Sequence, residues 1–325
     1  MNNEEIPPNG TNLKKRQGER NPEASLQQKL RNHAKTTGDD VALVLIRYIN
    51  ERFLYRLSLS PDRDRFILRG ATLFTLWNPE PHRATRDLDL MASGETSPEA
   101  IQRMITMACS TPVEPDGVSF LPETMRLETR TEGRAYQGFH LEMMATLGTA
   151  RPRLEIDIAV GEAVVPPPLE IDLPVLLSMP SPRMQAYQKE TTVAEKCEAL
   201  VSLGLPNTRM KDFYDLWYLC RTFPFSGTLL ANALEATFTR RNTPFPGLGL
   251  PTALTAEFAN DALKNRQWNA FLGKSRLTAQ APELSPVIAS LREFLQPLLE
   301  ALADNKPFTR HWSPEAKWQD DPSPQ

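Results

Sequence analysis

The sequence predicts an α+β protein whose first half carries a sheet and whose second half is helical. Two patterns carry that expectation. Short segments alternate apolar and polar residues between Arg65 and Val160, and apolar residues recur at helical spacing from about Pro180 onward. A length of 325 residues with 40% apolar content supplies material for about two cores.

Composition narrows the function classes. With 37 Lys+Arg against 40 Asp+Glu, the net charge of −3 argues against a nonspecific nucleic-acid coat and leaves room for a local basic cleft. Cys109, Cys197 and Cys220 are far apart and form no Cys-x-x-Cys pair, so neither a structural zinc site nor a disulfide framework is expected. His33, His82, His140 and His311 show no i, i+3 or i, i+4 spacing, which leaves little material for a histidine metal site or a Ser/His/Asp triad. The polar, acidic start is not followed by an apolar segment, and no run approaches membrane-spanning length. The expectation is a reduced, cytoplasmic protein with no membrane partner.

The elements follow in order. Residues 1–36 are polar without periodicity and are expected as a tail without fixed fold; its basic patch of Lys14, Lys15, Arg16 and Arg20 reads as a solvated surface or a nucleic-acid arm. Residues 40–57 carry apolar residues at helical spacing. Residues 65–70 form a short strand ending in Gly70, and residues 71–77 begin a helix. Alternating segments at 86–91, 125–130, 137–145 and 153–160 predict strands. Thr192 and Glu195 form a capping box that opens a helix ending near Gly204, and a second helix covers about 210–221. Weaker helical stretches lie near 228–240, 252–272 and 284–303. The predicted organisation is a core domain over 37–178, a helical domain over 179–310 and a polar tail over 311–325.

Three carboxylates stand out by position. In Arg86-Asp87-Leu88-Asp89-Leu90 the leucines and aspartates alternate, so on a strand Asp87 and Asp89 share one face, roughly 6.6 Å apart. In residues 154–160 the aliphatic positions turn inward, and Glu155 and Asp157 turn away. Two such strands can converge Asp87, Asp89 and Asp157. Ionised carboxylates that close repel unless a cation lies between them. Mg²⁺ accepts oxygen ligands and bridges to phosphates, and a pair of such ions would activate an attacking hydroxyl and steady a leaving pyrophosphate. The same alternation also marks any half-solvated strand. Gly70, at a strand-to-helix turn, adds a place where backbone N–H groups can hold phosphate.

Taken together, Phe66-Ile-Leu-Arg-Gly-Ala-Thr-Leu-Phe74, His82-Arg-Ala-Thr-Arg-Asp-Leu-Asp-Leu90, Arg153-Leu-Glu-Ile-Asp157, Val193-Ala-Glu-Lys-Cys-Glu-Ala-Leu200 and Arg209-Met-Lys-Asp-Phe-Tyr-Asp-Leu216 resemble the AbiEii/AbiGii (MenT-like) nucleotidyltransferase toxins. The resemblance spans about residues 40–222. It implies a polymerase-β-like nucleotidyltransferase core with a mixed sheet, followed by a helical domain. It also implies Mg²⁺ at a two-metal site, an NTP substrate, an RNA acceptor such as the 3′ end of tRNA, and a cognate antitoxin in an abortive-infection system. By resemblance, Asp87, Asp89 and Asp157 are the metal carboxylates, with Asp157 also the general base. Gly70 and Ala71 take the phosphate-loop positions. Many members have Ser or Gly where Ala71 stands, which leaves any hydroxyl contact to Thr72. Arg83 precedes the aspartates, Lys196 matches the helix lysine, and Lys211 and Asp212 match the Lys-Asp of the next helix. The competing readings are nucleotidylation of a protein or small molecule, and a catalytically inactive member that binds a partner.

The helices qualify these roles. Lys196 borders the stripe of Val193, Cys197, Leu200 and Val201, where it can either reach a triphosphate or cover apolar surface. Lys211 and Asp215 are four apart and read as a surface pair opposite the core face. Asp212 stands in a first helical turn, where the helix dipole favours a carboxylate. Arg209, at the start of the same helix, is a candidate phosphate ligand. Trp268, Trp312 and Trp318 are too scattered to form a base-stacking platform.

Overall fold

The structure, a computed structural model, describes residues 22–320 except 78–82, 84, 133–135 and 248. The basic patch of the first twenty residues and His82 lie outside the described residues. Helix α1 (Pro22–Thr37) is followed by α2 (Val41–Leu59), which Asp40 caps by accepting the Leu43 N–H at 3.1 Å. Strand β1 (Phe66–Arg69) passes through a tight 3₁₀ turn at Gly70–Leu73 into the single turn α3 (Phe74–Trp77). Then come β2 (Leu88–Ala92), α4 (Pro98–Cys109), the paired long strands β3 (Val118–Glu132) and β4 (Tyr136–Leu147), and β5 (Arg153–Val160). Strands β6 (Leu169–Asp172) and β7 (Arg183–Ala186) complete a seven-stranded sheet in the order β3-β4-β5-β2-β1-β7-β6. The sheet is mixed: β2 runs parallel to β5 and β1 parallel to β7, and the other neighbours are antiparallel.

The helical part contains α5 (Lys189–Leu203), α6 (Met210–Thr222), α7 (Gly227–Arg240), α8 (Ala256–Asn260), α9 (Ala262–Ser275) and α10 (Leu284–Ala303). A short β8 (Phe225–Ser226) pairs with β9 (His311–Ser313), which pairs with β10 (Lys317–Gln319). Two apolar cores result. Leu68, Leu88, Leu90, Ile156 and Ile158 turn one sheet face toward Tyr48, Phe53 and Ile101 of α2 and α4. Leu200, Phe213, Leu234, Trp268, Leu291 and Phe294 centre the second core between the later helices. Because side chains alternate across a strand, the apolar face of β2 and β5 obliges Asp89 and Asp157 to point the other way, toward α5 and α6. No helix among the described residues is long and apolar enough to cross a membrane.

The α+β expectation is met, and several boundaries are corrected. Residues 22–36, expected to lack a fold, form α1, because Leu30 and Ala34, four apart, give it a narrow apolar stripe that enters the first core. The sheet passes the expected boundary at 178, since β7 pairs with β1 at Ile67 and Leu68. Residues 311–320 are not a tail: Trp312 and Trp318 lie 4.8 and 5.8 Å from Phe294, ring centre to ring centre. Sequence patterning also passed over α4, whose Ile101, Met104, Ile105 and Ala108 follow helical spacing behind a Ser97 cap. The stretch 252–272 breaks at Asp261, which caps α9.

Candidate active site

Strand register builds the centre of the site. Arg69 pairs with Asp89, Asp89 with Asp157, Asp157 with His140, and His140 with Glu128, so one row of side chains crosses five strands. Gly70 follows Arg69 at φ +74°, and a Cβ there would stand 2.0 Å from Asp89 Oδ2. The backbone turn therefore lies directly against the carboxylate, a closeness that only glycine permits. Burial pushes the Asp89 carboxyl above its ordinary value, Arg69 and Lys211 counter this, and Asp157 adds to it. Asp157 Oδ1 lies 2.7 Å from His140 Nδ1 and accepts from Arg130 Nη1 at 3.2 Å. His140 and Arg130 were not among the sequence candidates. The alternation of β4, which puts His140 on the same face as Glu142, was the available signal.

A pocket of about 420 Å³ opens above this row. Gly70, Ala71, Arg83, Asp89, Asp157, Lys196, Lys211 and Asp212 line it, so eight of the expected site residues come together. Asp87 and Thr72 do not. Asp87 precedes the first paired residue of β2 and lies beside Glu155, whose carboxyl is raised by burial and by Asp87. The expected convergence of three carboxylates is thus found for two, because strand register carries Asp87 one pleat past the pocket. Thr72 lines a separate cavity of about 140 Å³ with Asn50 and Thr85, so its hydroxyl does not substitute for the one absent at Ala71.

The cations are held in a chain of ion pairs. Asp215, fully buried, accepts from Arg83 Nε at 2.7 Å and Nη2 at 2.9 Å, and from Lys196 Nζ at 2.8 Å. Lys196 also reaches Asp212 at 2.6 Å, and Asp212 meets Arg209 Nε at 2.9 Å. Burial alone would lower the Lys196 ammonium; Asp212 and Asp215 more than reverse this and hold it above its ordinary value. Burial would raise Asp212, and Lys196 and Arg209 hold it below. The expected Lys211–Asp215 surface pair is corrected. Asp215 turns inward to Arg83, and the exposed Lys211 faces the pocket. Arg83 approaches from a loop, 132 residues away in the chain.

The rear of the pocket is acidic. Arg241 bridges Glu198 at 2.6 Å and Glu162 at 3.1 Å, with Glu195 at 3.9 Å; Glu195 also takes Arg69 at 2.7 Å. Burial, with Glu195 beside it, pushes the Glu162 carboxyl up to about 8.

The donor set bears on a divalent cation. Among the described residues no group of three or more His, Cys, Asp and Glu side chains forms a ready metal cage. Two adjacent carboxylates nonetheless fit Mg²⁺, which binds through one or two carboxylates and completes its shell with water and substrate phosphate.

An α+β core that sets paired carboxylates against a glycine turn, beneath a cluster of Arg and Lys, has the composition of a nucleotidyl-transfer site. The sequence model of the family described as "Nucleotidyl transferase AbiEii toxin, Type IV TA system" matches residues 52–297. The chain belongs to this family of nucleotidyltransferases, the toxins of toxin–antitoxin pairs. Among solved structures it is similar to JHP933 from Helicobacter pylori, at 14% identity and a TM-score of 0.45 over 80% of this chain and 94% of that one. A provisionally assigned nucleotidyltransferase of H. pylori gives the same identity and TM-score, over 80% and 97%. No curated protein matches the chain.

Proposed function

We propose that the protein transfers a nucleotidyl group from an NTP to the 3′ end of an RNA, with the acceptor end of tRNA as target, and so acts as the toxin of its pair in the cytoplasm. The reading rests on one observation above the others: Asp89 and Asp157 stand side by side in strand register, with the Gly70 turn against Asp89. In this reading Asp89 and Asp157 would hold the divalent cation, and Asp87, one pleat away beside Glu155, would not. When bound, Mg²⁺ would neutralise the triphosphate and stabilise the departing pyrophosphate. Gly70 and Ala71 present backbone to the phosphates. Lys196, Arg83, Arg209 and Lys211 supply positive charge, with the first three kept in place by Asp212 and Asp215. Asp157 takes the proton of the acceptor hydroxyl; that oxygen bonds to the α-phosphorus as the α–β bridging bond breaks and pyrophosphate leaves. His140 and Arg130 fix the Asp157 carboxylate for this task.

The test is label transfer from α-labelled NTPs to total RNA. Transfer is expected with Mg²⁺, not with EDTA, and not to RNA whose 3′ diol has been oxidised. Label that enters protein instead of RNA, or that persists in the Asp89→Asn/Asp157→Asn double variant, overturns the proposal.

A further inference from the structure

The connection between α5 and α6 brings Arg209 to the pocket, and a run of hydrogen bonds shapes it. The Asn207 N–H donates to the Gly204 carbonyl at 3.2 Å, and Asn207 Oδ1 accepts from the Arg209 N–H at 2.8 Å. The Met210 N–H reaches the Thr208 carbonyl at 2.9 Å, so Arg209, at φ −81° and ψ 61°, is the central residue of an inverse γ-turn. Its side chain lines the pocket, where Nε meets Asp212 at 2.9 Å.

This turn rests on a lysine from another helix. Lys264, in the first turn of α9 and 4% exposed, donates from Nζ to the Asn207 carbonyl at 2.8 Å, with the Phe258 ring 5.3 Å away. Both partners are neutral. Withdrawing a lysine amine from water has a cost that one carbonyl and one ring offset only in part. A methionine of similar length would fill the same space without that cost. The bond therefore calls for a purpose beyond packing, and the residue it holds is the one whose side chain fixes the Arg209 backbone.

We propose that Lys264 is a positioning residue for Arg209. It fixes the Asn207 carbonyl, the Asn207 side chain fixes the Arg209 N–H, and the turn so formed presents the Arg209 guanidinium to the triphosphate. Neither Lys264 nor Asn207 lines the pocket, so the lysine acts through the turn and not on the substrate. The inference rests on the NTP-transfer reading given above.

Calorimetric titration of the full-length protein with ATP, CTP, GTP and UTP in Mg²⁺, then a double-mutant cycle on the tightest of them, tests this. Arg209→Ala should weaken that NTP about tenfold, the worth of one charged hydrogen bond. Lys264→Met should weaken it several-fold in the parent and have no further effect beside Arg209→Ala, because its influence passes through that arginine. Asn207→Ala, which keeps the carbonyl for Lys264 but deletes the acceptor for the Arg209 N–H, should reproduce the loss. Trp268→Phe is the control: it removes another bond from α9 to a backbone carbonyl, that of Pro282 at 3.0 Å. It should lower the melting temperature as Lys264→Met does and leave NTP affinity unchanged. Parent-like binding by Lys264→Met, Asn207→Ala or Arg209→Ala overturns the positioning role alone. So does an equal loss from Lys264→Met in both backgrounds, or a loss of the same size in Trp268→Phe. Failure of every NTP to bind the parent protein overturns the nucleotidyl-transfer reading with it.

Discussion

Replacing Asp215 with alanine tests whether the buried ion-pair chain organises the site. The side chain has no exposed surface and receives two bonds from Arg83 and one from Lys196. Removing it leaves Lys196 with Asp212 as a remaining partner, but takes the bidentate acceptor from Arg83, whose side chain is only 11% exposed. Breaking a buried pair from one side costs about 3–5 kcal/mol, because the remaining charge stays desolvated. At roughly 2–4 °C per kcal/mol for a chain of this size, the melting temperature should fall by about 10 °C. Differential scanning calorimetry of Asp215→Ala beside Lys211→Ala makes the comparison internal. Lys211, an exposed residue of the same helix, should change stability by no more than about 0.5 kcal/mol. An Asp215→Ala protein that melts within about 2 °C of the parent, or a Lys211→Ala protein that loses as much, would refute the argument.

Asp89→Asn should lower transfer by about 10²–10³-fold while leaving the melting temperature equal or higher; burial already raises the Asp89 carboxyl, so a neutral side chain relieves a penalty near neutral pH. Activity assays and melts on one preparation check both halves. Gly70→Ala should lose activity and about 1–2 kcal/mol of stability in urea titration, from positive φ and from a Cβ meeting Asp89 Oδ2. The Glu162 carboxyl is raised in the folded chain from an ordinary 4.5 to about 8, so the folded state holds a proton that the unfolded state releases. Its contribution to stability is therefore present below 4.5 and lost as pH rises toward about 8; Glu162→Gln should flatten that decline in melts taken across the range. Trp312→Ala should cost about 3–5 kcal/mol in chemical denaturation, since the indole packs on Phe294 and donates to the Cys220 carbonyl at 2.7 Å.

Much of the architecture could be read along the chain. Period-two runs marked β2 and β5, helical spacing marked α2, α5, α6 and α10, and the turn glycine at residue 70 stood where a strand becomes a helix. Helix α1 escaped because only a narrow stripe of a polar segment is buried. The hairpin of β9 and β10 escaped because each strand has three residues and one buried tryptophan, too short for alternation to register.

Sequence alone determined which face of each core strand turns to solvent, because alternation depends only on neighbours along the chain; that singled out Asp87, Asp89 and Asp157 together, of which the pocket takes the last two. Tertiary structure decided who meets whom. Arg83 and Asp215 lie 132 positions apart, and Lys196 and Asp212 come from successive helices, so no local pattern announces their pairing. Charge partnership is a matter of distance through space and of burial, both fixed only when the helical region closes over the sheet. Strand pairing, not helix closure, separated Asp87 from its expected companions: register placed it beside Glu155, a consequence of how two strands align.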